Sequence, residues 1–206
     1  MKNILFRTDS SDKIGTGHIM RSLVLANQFK NDKITFAVQD LPRNINYRIK
    51  NAGYNIEILK SDDINELIQL INKYKIDLIV IDHYGINYKD ERKIKDKTNI
   101  KIFSLDDTYK KHCCDILLNH NIGANPLKYK ELVPQNTELR CGQKYSLIRE
   151  EFKKEKKTKN FQEKGHLKKI MVSMGGTDAL NLNIEILKVL MRFKNIEVNI
   201  VSTNAN

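Results

Sequence analysis

Residues 77–82 read DLIVID, four consecutive apolar side chains between two carboxylates. A strand that is exposed on one face alternates apolar and polar residues. The central strand of a parallel sheet is covered on both faces and is therefore apolar throughout. This stretch predicts such a central strand, and with it a parallel α/β sheet.

Predicted strands and helices alternate along the chain around this segment. Apolar runs predict further strands at residues 3–7, 34–38, 55–59, 101–105 and 116–118. Helices are predicted at residues 18–29 and 46–52, and a third has Ile64, Leu67, Ile68 and Ile71 on one face, after the cap candidates Ser61, Asp62 and Asp63. Alternation of this kind indicates a doubly wound parallel sheet.

A change of composition divides the chain. Residues 152–166 are rich in Lys, Glu, Gln and Asn, so we predict a linker there, after a first domain at residues 1–151. A strand at 169–173, a helix and a strand at 198–201 follow; the helix has Leu180, Ile184, Leu187 and Met191 on its apolar face. One such unit is too small for an adequate core. It either docks on the first domain or, as we expect, residues 167–206 begin an incomplete second domain and the chain is a fragment.

The charge balance is basic, with 36 Lys and Arg against 25 Asp and Glu and a net charge of +11. The densest run, residues 153–159, has no interleaved aromatic platform, so we predict a lysine-rich surface and no nucleic-acid partner. A diffuse positive field favours the approach of an anionic nucleotide-sugar. No apolar run approaches the roughly 18 residues of a membrane span, and the apolar stretch at residues 4–6 is too short for a signal peptide. We expect a cytoplasmic protein without a membrane partner; the sequence does not indicate an oligomeric state.

Three cysteines are present, and two of them, Cys113 and Cys114, are adjacent. An odd count with an adjacent pair argues against a disulfide framework. Together with His112 and His120 they suggest a metal site, but their spacing fits no zinc pattern. We predict a structural role for these side chains and no bound metal.

The loop after the first predicted strand, RTDSSDKIGTGH at residues 7–18, carries the candidate chemistry. In open parallel sheets ligands bind at the carboxyl ends of the strands, which is where this loop lies. We expect Gly15 and Gly17 to take positive φ and to let the backbone approach a ligand closely. The start of the next helix offers N–H groups that suit an anion or a polar sugar.

His18 falls in the first turn of that helix. The positive end of the helix dipole disfavours an imidazolium there, so we expect a neutral imidazole, as a general base requires. On spacing alone, a histidine that caps the helix remains an equal alternative. The loop also lacks the third glycine of a dinucleotide fingerprint.

Six blocks occur in an order that resembles one family of enzymes. They are RTDSSDKIGTGHIMRSLVLA (7–26), IDHYG (81–85), SLDD (104–107), CDILLN (114–119), RCGQKYSLIREEF (140–152) and MVSMGGTD (171–178). Together they resemble the UDP-2,4-diacetamido-2,4,6-trideoxy-β-L-altropyranose hydrolases (PseG type) of pseudaminic acid biosynthesis. The chain is also similar to the MurG-type N-acetylglucosaminyltransferases, which share the histidine of the glycine loop and a two-domain GT-B architecture.

The resemblance implies a GT-B-like fold and a reaction in which His18 activates water to attack the anomeric carbon, with inversion and loss of UDP. UDP leaves as a stabilised anion, so the second carboxylate of an inverting glycosidase is not required. No cofactor and no metal ion are implied. The pathway implied is pseudaminic acid biosynthesis, which serves flagellin glycosylation. A UDP-sugar-dependent glycosyltransferase and an inactive, truncated sugar-binding fragment remain as alternatives.

Further site residues follow from the resemblance and from position. Tyr84 lies just beyond residues 77–82 and is expected to orient the sugar or the water; the alternative is a packing tyrosine. Arg7 and Asp9 are expected to bind sugar substituents or to brace the loop. Arg21 shares a helix face with His18 and is either a substrate contact or a surface charge.

A second glycine turn lies at Gly175, Gly176 and Thr177, after the predicted strand at residues 169–173. In GT-B proteins the corresponding loop faces the cleft, and its N–H groups contact the nucleotide diphosphate. The resemblance therefore implies nucleotide binding by these three residues. A plain tight turn before a helix is the alternative.

Overall fold

The computed structural model describes residues 1–158, 169–174, 178 and 180–201. Its main feature is a seven-stranded sheet in the order β3-β2-β1-β4-β5-β6-β7, in which all neighbouring strands are parallel. The strands are β1 (Asn3–Thr8), β2 (Lys33–Gln39), β3 (Asn55–Leu59), β4 (Leu78–Asp82), β5 (Lys101–Leu105), β6 (Ile116–Asn119) and β7 (Glu138–Cys141). The predicted parallel α/β sheet is confirmed.

Helices cover both faces of this sheet. They are α1 (Gly17–Ala26), α2 (Asn46–Asn51), α3 (Ile64–Lys73) and α4 (Tyr88–Thr98). Successive strand residues point to opposite faces, so each strand contributes to two cores. In β1, Phe6 packs on the side of α1 and α2, and Leu5 packs on the side of α3 and α4. This is the doubly wound arrangement that the alternation predicted.

The stretch DLIVID forms the middle of the sheet, as predicted. β4 lies between β1 and β5, and its residues Ile79, Val80 and Ile81 are at most 3% exposed. Val80 belongs to one core, and Ile79 and Ile81 belong to the other. Two covered faces explain why no polar residue interrupts the run.

The order of the strands creates a crevice between β1 and β4. From β1 the chain proceeds to β2 and β3 on one side, and from β4 it proceeds to β5, β6 and β7 on the other. The loops that leave the carboxyl ends of β1 and β4 therefore diverge. Such a reversal is the usual ligand position in an open α/β sheet.

Two elements of the main sheet layer were not predicted. Helix α4 has the sequence YKDERKIKDKT, in which Glu91 and Ile94 are the buried residues. It begins with a capping box in which Asn87 and Asp90 each bond to the other's backbone. Among the described residues, strand β7 pairs with β6 alone, and it contains no fully buried side chain. Both elements lack the apolar pattern that reveals helices and strands in a sequence.

A helix, α5 (Glu150–Thr158), occupies the beginning of the predicted linker. Beyond it, β8 (Lys169–Ser173) and β9 (Glu197–Val201) form a parallel pair joined through α6 (Leu182–Leu190). Helix α6 is shorter than the predicted apolar face, so Leu180 and Met191 flank it, each more than 70% exposed. The division into domains remains a prediction. Among the described residues, no helix has the length and apolarity to cross a membrane.

Candidate active site

A cleft of about 460 Å³ lies at the crevice between β1 and β4. Its size falls within the usual range for small-molecule sites, about 300–1,000 Å³. The side chains that line it come from the glycine loop, α1, the segments after β4 and β6, and the segment before α5: Ile14, Gly17, His18, Met20, Arg21, Val24, Tyr84, His120, Leu147 and Arg149. Three of the predicted site residues, His18, Arg21 and Tyr84, therefore meet in one cleft with Gly17.

The glycine loop is closed on itself by hydrogen bonds. The Gly15 N–H donates to the Ser11 carbonyl at 2.8 Å, and the Ser11 hydroxyl accepts from the N–H groups of Lys13 and Ile14. Gly15 has φ +81°, as predicted, and this left-handed conformation is strained for any residue with a Cβ. The loop therefore delivers the chain to the start of α1 in one defined direction.

Gly17 does not have the positive φ that the sequence analysis assigned to it. It is the first residue of α1 and already has helical geometry, so no left-handed turn is needed there. A Cβ added to it meets no atom within 4 Å, and the residue lies on the cleft wall. Its small size leaves space in the cleft instead of relieving backbone strain.

His18 is held by a buried carboxylate. Its Nδ1 lies 2.7 Å from Oδ1 of Asp82, and the two residues are 7% and 1% exposed. Burial by itself raises the pKa of the Asp82 carboxyl, but hydrogen bonds from Arg21 and His18 and the charge of Arg21 outweigh it, so the pKa is below its usual range. An ionised carboxylate only accepts hydrogen bonds. Nδ1 of His18 therefore carries the proton, and Nε2 keeps the lone pair that a base uses.

Arg21 is not a surface charge, because its side chain is only 15% exposed. Its guanidinium donates to both oxygens of Asp82, through Nε at 2.7 Å and Nη2 at 2.5 Å. Nη1 donates to Asp107 at 3.0 Å. Burial lowers the pKa of Arg21, but the bonds to Asp82 and Asp107 more than compensate and raise the pKa above its usual range.

Tyr84 stands over His18 at the mouth of the cleft. The two rings meet edge to face with centroids 4.7 Å apart, and Tyr84 is 54% exposed. Its hydroxyl donates to Asp107 at 2.9 Å. Burial and the Asp107 carboxylate raise the pKa of Tyr84, so the hydroxyl stays protonated. A half-exposed ring beside the candidate base is poorly described as a packing tyrosine.

Arg7 and Asp9 lie behind the cleft and are 2% and 1% exposed. They form an ion pair at 2.8 Å, and Asp9 also accepts from the Gln39 N–H and contacts His83. Burial raises the pKa of Asp9, but the hydrogen bonds from His83 and Arg7 outweigh this effect and lower the pKa to about 2. Because these partners occupy its carboxylate, the contacts favour the role of bracing the loop over sugar binding.

One cluster within the described part of the chain has the spacing of a metal site, and it consists of Asp9, Asp62 and His83. The Arg7 guanidinium already bonds to both carboxylates, at 2.8 Å each, and lies 3.3 Å from His83. The positive charge of Arg7 is therefore already paired with both of these carboxylates. Of the sequence candidates, His112 contacts Glu91 instead, whereas His120 lies in the cleft.

Sequence reasoning missed Asp82 and Asp107 as site residues, and it considered His120 only as a metal ligand. Asp82 was visible as the last letter of DLIVID, and its Cα is the register partner of Thr8, the last residue of β1. A carboxylate at the end of a buried strand, beside the reversal of strand order, is the signal that could have identified it. Burial and the nearby Arg21 charge lower the pKa of His120, which lies 3.4 Å from Arg21. Gly175, Gly176 and Thr177 lie outside the described residues.

Comparison with known proteins identifies a close relative. The chain is 45% identical over 203 residues to the UDP-2,4-diacetamido-2,4,6-trideoxy-beta-L-altropyranose hydrolase of Campylobacter jejuni, and the match covers 98% of this chain and 71% of that protein. No protein-family model matches the chain. The recognised resemblance is confirmed by this relative.

Solved structures share the fold at low sequence identity. UDP-GlcNAc 2-epimerase from Neisseria meningitidis, bound to UDP-GlcNAc, has a TM-score of 0.55 and 11% identity, over 99% of this chain and 66% of its own. A glycosyltransferase from Rickettsia africae has a TM-score of 0.53 and 10% identity, over 98% and 60%. These neighbours confirm the GT-B-like fold.

Proposed function

This chain belongs to the family of the UDP-2,4-diacetamido-2,4,6-trideoxy-β-L-altropyranose hydrolases, and on that premise we propose that it hydrolyses a UDP-linked 2,4-diacetamido-2,4,6-trideoxyhexose to the free sugar and UDP. The observation that carries the proposal is the pair of His18 and Asp82, 2.7 Å apart in the cleft at the reversal of strand order. We place the reaction in pseudaminic acid biosynthesis, in the cytoplasm, and in the supply of sugar for flagellin glycosylation.

In the proposed reaction, His18 is the general base. A water molecule attacks the anomeric carbon from the face opposite UDP, and the bond between that carbon and the phosphate oxygen breaks with inversion. The water proton passes to Nε2 of His18, and UDP leaves with the bonding electron pair. Asp82 keeps Nδ1 protonated before the step and stabilises the imidazolium that forms in it.

The leaving group explains why one base is enough. UDP is a stable anion, so its oxygen needs electrostatic stabilisation more than a strong acid. We propose that Gly175, Gly176 and Thr177 contribute N–H groups to the diphosphate, and that residues 167–206 begin a second, nucleotide-binding domain after a linker at residues 152–166. The support for both proposals is the sequence resemblance.

The sugar is proposed to lie between the glycine loop and Tyr84. Gly17 lines this space without a side chain, and Gly15 sets the course of the loop toward it. Because the centroids of the Tyr84 and His18 rings are 4.7 Å apart, Tyr84 is proposed to contact either the sugar or the attacking water. Asp9 contributes indirectly, because its ion pair with Arg7 and the hydrogen bond that it accepts from the Gln39 N–H fix the start of the loop.

The test is UDP release in water without an acceptor. The purified chain is incubated with the UDP-linked 2,4-diacetamido sugar, and UDP is quantified beside a His18→Ala variant whose fold is checked by circular dichroism. Release that is lost in His18→Ala supports the hydrolase. Release only after an acceptor is added indicates a glycosyltransferase, and binding without release from a folded chain indicates a sugar-binding fragment; either result refutes the proposal.

A further inference from the structure

We propose that Arg21 is a positioning residue, which holds the carboxylates of Asp82 and Asp107 and thereby fixes both the His18 imidazole and the Tyr84 hydroxyl. The inference rests on the proposed function, in which His18 is the base. It differs from a direct contact between Arg21 and the substrate, because Arg21 acts through two other side chains.

The hydrogen bonds form a continuous chain from the base to the tyrosine. His18 contacts Asp82, Asp82 accepts two bonds from Arg21, Arg21 donates to Asp107, and Asp107 accepts from Tyr84. The edge-to-face contact between the Tyr84 and His18 rings joins the two ends of this network. A displacement of Arg21 therefore weakens the positioning of both His18 and Tyr84.

The guanidinium has little capacity left for a substrate. Each of its three nitrogens already donates to a carboxylate of Asp82 or Asp107 at 3.0 Å or less. Planar, bidentate bonding of this kind is strong and directional, and a lysine cannot reproduce it. Arg21 has two further N–H groups, one on Nη1 and one on Nη2. These nitrogens lie 3.4 Å from Nε2 of His120 and 3.0 Å from Nδ1 of His18, so the two histidine rings already occupy the space beside them.

Position on the helix explains why this residue can reach both acids. Arg21 is three residues after His18 on α1, so the two side chains project from the same face. Asp82 ends β4, and Asp107 follows β5, the next strand in the sheet. Arg21 thus joins α1 to the carboxyl ends of two neighbouring strands, and the proposed catalytic geometry depends on these hydrogen bonds.

The charge of Arg21 gives it a second effect, on the protonation of His18. The charged and titratable groups around His18 come from five parts of the fold. They are Arg21 on α1, Asp82 and Tyr84 at and after β4, Asp107 after β5, His120 after β6, and Arg149 before α5, which lines the same cleft. Within the hydrogen-bonded network, the two carboxylates and the Arg21 guanidinium carry a net charge of one negative unit. Removal of Arg21 makes the surroundings of His18 more negative by one unit, which favours the imidazolium over the free base.

The experiment follows the titration of His18 by nitrogen-15 NMR in the 206-residue chain. Removal of the charge in Arg21→Gln is expected to raise the His18 titration midpoint by about one pH unit or more, and Asp82→Asn to lower it by a similar amount. Arg48→Gln is the matched control, since it removes the same charge from an exposed site on α2 and should leave the midpoint unchanged. Near-ultraviolet circular dichroism checks that each variant is folded.

The kinetic measurement separates positioning from binding. Arg21→Lys keeps the charge but cannot make the bidentate bonds to Asp82. For this variant we expect a His18 titration midpoint close to wild type and a kcat about 10-fold lower, with KM nearly unchanged. A raised KM with unchanged kcat and an unchanged His18 midpoint in Arg21→Gln makes Arg21 a substrate ligand and overturns the inference. If the wild-type chain releases no UDP, the proposed function fails, while the titration still decides whether Arg21 controls His18.

Discussion

At the scale of single residues, the central feature is that a buried carboxylate selects the tautomer of a histidine. Asp82 accepts a hydrogen bond from Nδ1–H of His18 and is itself kept ionised by Arg21. In the neutral imidazole the lone pair is then on Nε2, where the proposed base needs it. A histidine that merely caps α1 has no need of such a partner, so the geometry favours the base over the cap.

The exchange Asp82→Asn tests this role. An amide can donate to Nδ1, which favours the wrong tautomer and leaves the imidazolium without a counter-charge. We expect kcat to fall by about 100-fold or more, with KM changed much less. Steady-state UDP release measures both constants. An Asp82→Asn enzyme with wild-type kcat contradicts the role of Asp82.

Tyr84 supports a second prediction at this scale. Tyr84→Phe removes the hydroxyl that bonds to Asp107 but keeps the ring against His18, so we expect kcat to fall by roughly 10-fold while the fold is preserved. Tyr47→Phe is the matched control, because Tyr47 is also half exposed, at 53%, but lies on α2 and does not line the cleft. Equal rates for the two variants would show that the Tyr84 hydroxyl has no part in the reaction.

At the scale of elements, the two glycines before His18 have different functions. Gly15 needs its positive φ, whereas Gly17 is helical and only leaves space. Gly15→Ala is therefore expected to lower the free energy of unfolding by about 1–2 kcal/mol. Gly17→Ala is expected to change it by less than about 1 kcal/mol and to raise KM, since the new methyl group enters the cleft. Urea unfolding and UDP release measure these effects; equal loss of stability in both variants contradicts the assignment.

Sequence patterns predicted the elements that bury apolar side chains on a regular period. DLIVID and the strands around it were located within one or two residues, because a covered strand has no freedom to be polar. Helix α4 was not predicted because Ile94 is its one buried apolar residue, and its other buried side chain is Glu91. Strand β7 was not predicted for a similar reason: it lies at the edge of the described sheet, and none of its residues is fully buried.

The candidate site was predictable only in part, for reasons of distance along the chain. His18 and Tyr84 follow from the resemblance and from strand ends. The partners of Arg21 are separated from it by 61 and 86 residues, and no local pattern announces such contacts. Gly17 was assigned a left-handed turn because glycine spacing alone cannot distinguish a turn from the first residue of a helix.

At the scale of the whole molecule, a second buried network joins helix α4 to the segment after β5. His112 contacts Glu91 of α4 at 2.8 Å and lies 3.9 Å from Asp106, the neighbour of Asp107. Burial lowers the pKa of His112, but Asp106 and Glu91 raise it to about 9. The histidine is therefore charged in the folded protein at neutral pH and links α4 to the end of β5.

This network predicts how stability depends on pH. The pKa of His112 is 6.5 for the free side chain and about 9 in the fold, so its contribution is complete below about pH 6.5 and is lost as pH rises through about 9. The loss is on the order of 1–3 kcal/mol. We expect the difference in unfolding free energy between wild type and His112→Gln to shrink across this range. A difference that is constant from pH 6 to pH 10 contradicts the charged state of His112.

The central claim, hydrolysis at the anomeric carbon by water that His18 activates, is tested most directly in water enriched in oxygen-18. The chain and its His18→Ala variant are incubated with the UDP-linked 2,4-diacetamido sugar, and the mass of the released UDP is measured. Attack at carbon predicts unlabelled UDP from the wild type and none from His18→Ala. Oxygen-18 in the UDP phosphate, or equal release by the variant, would contradict it.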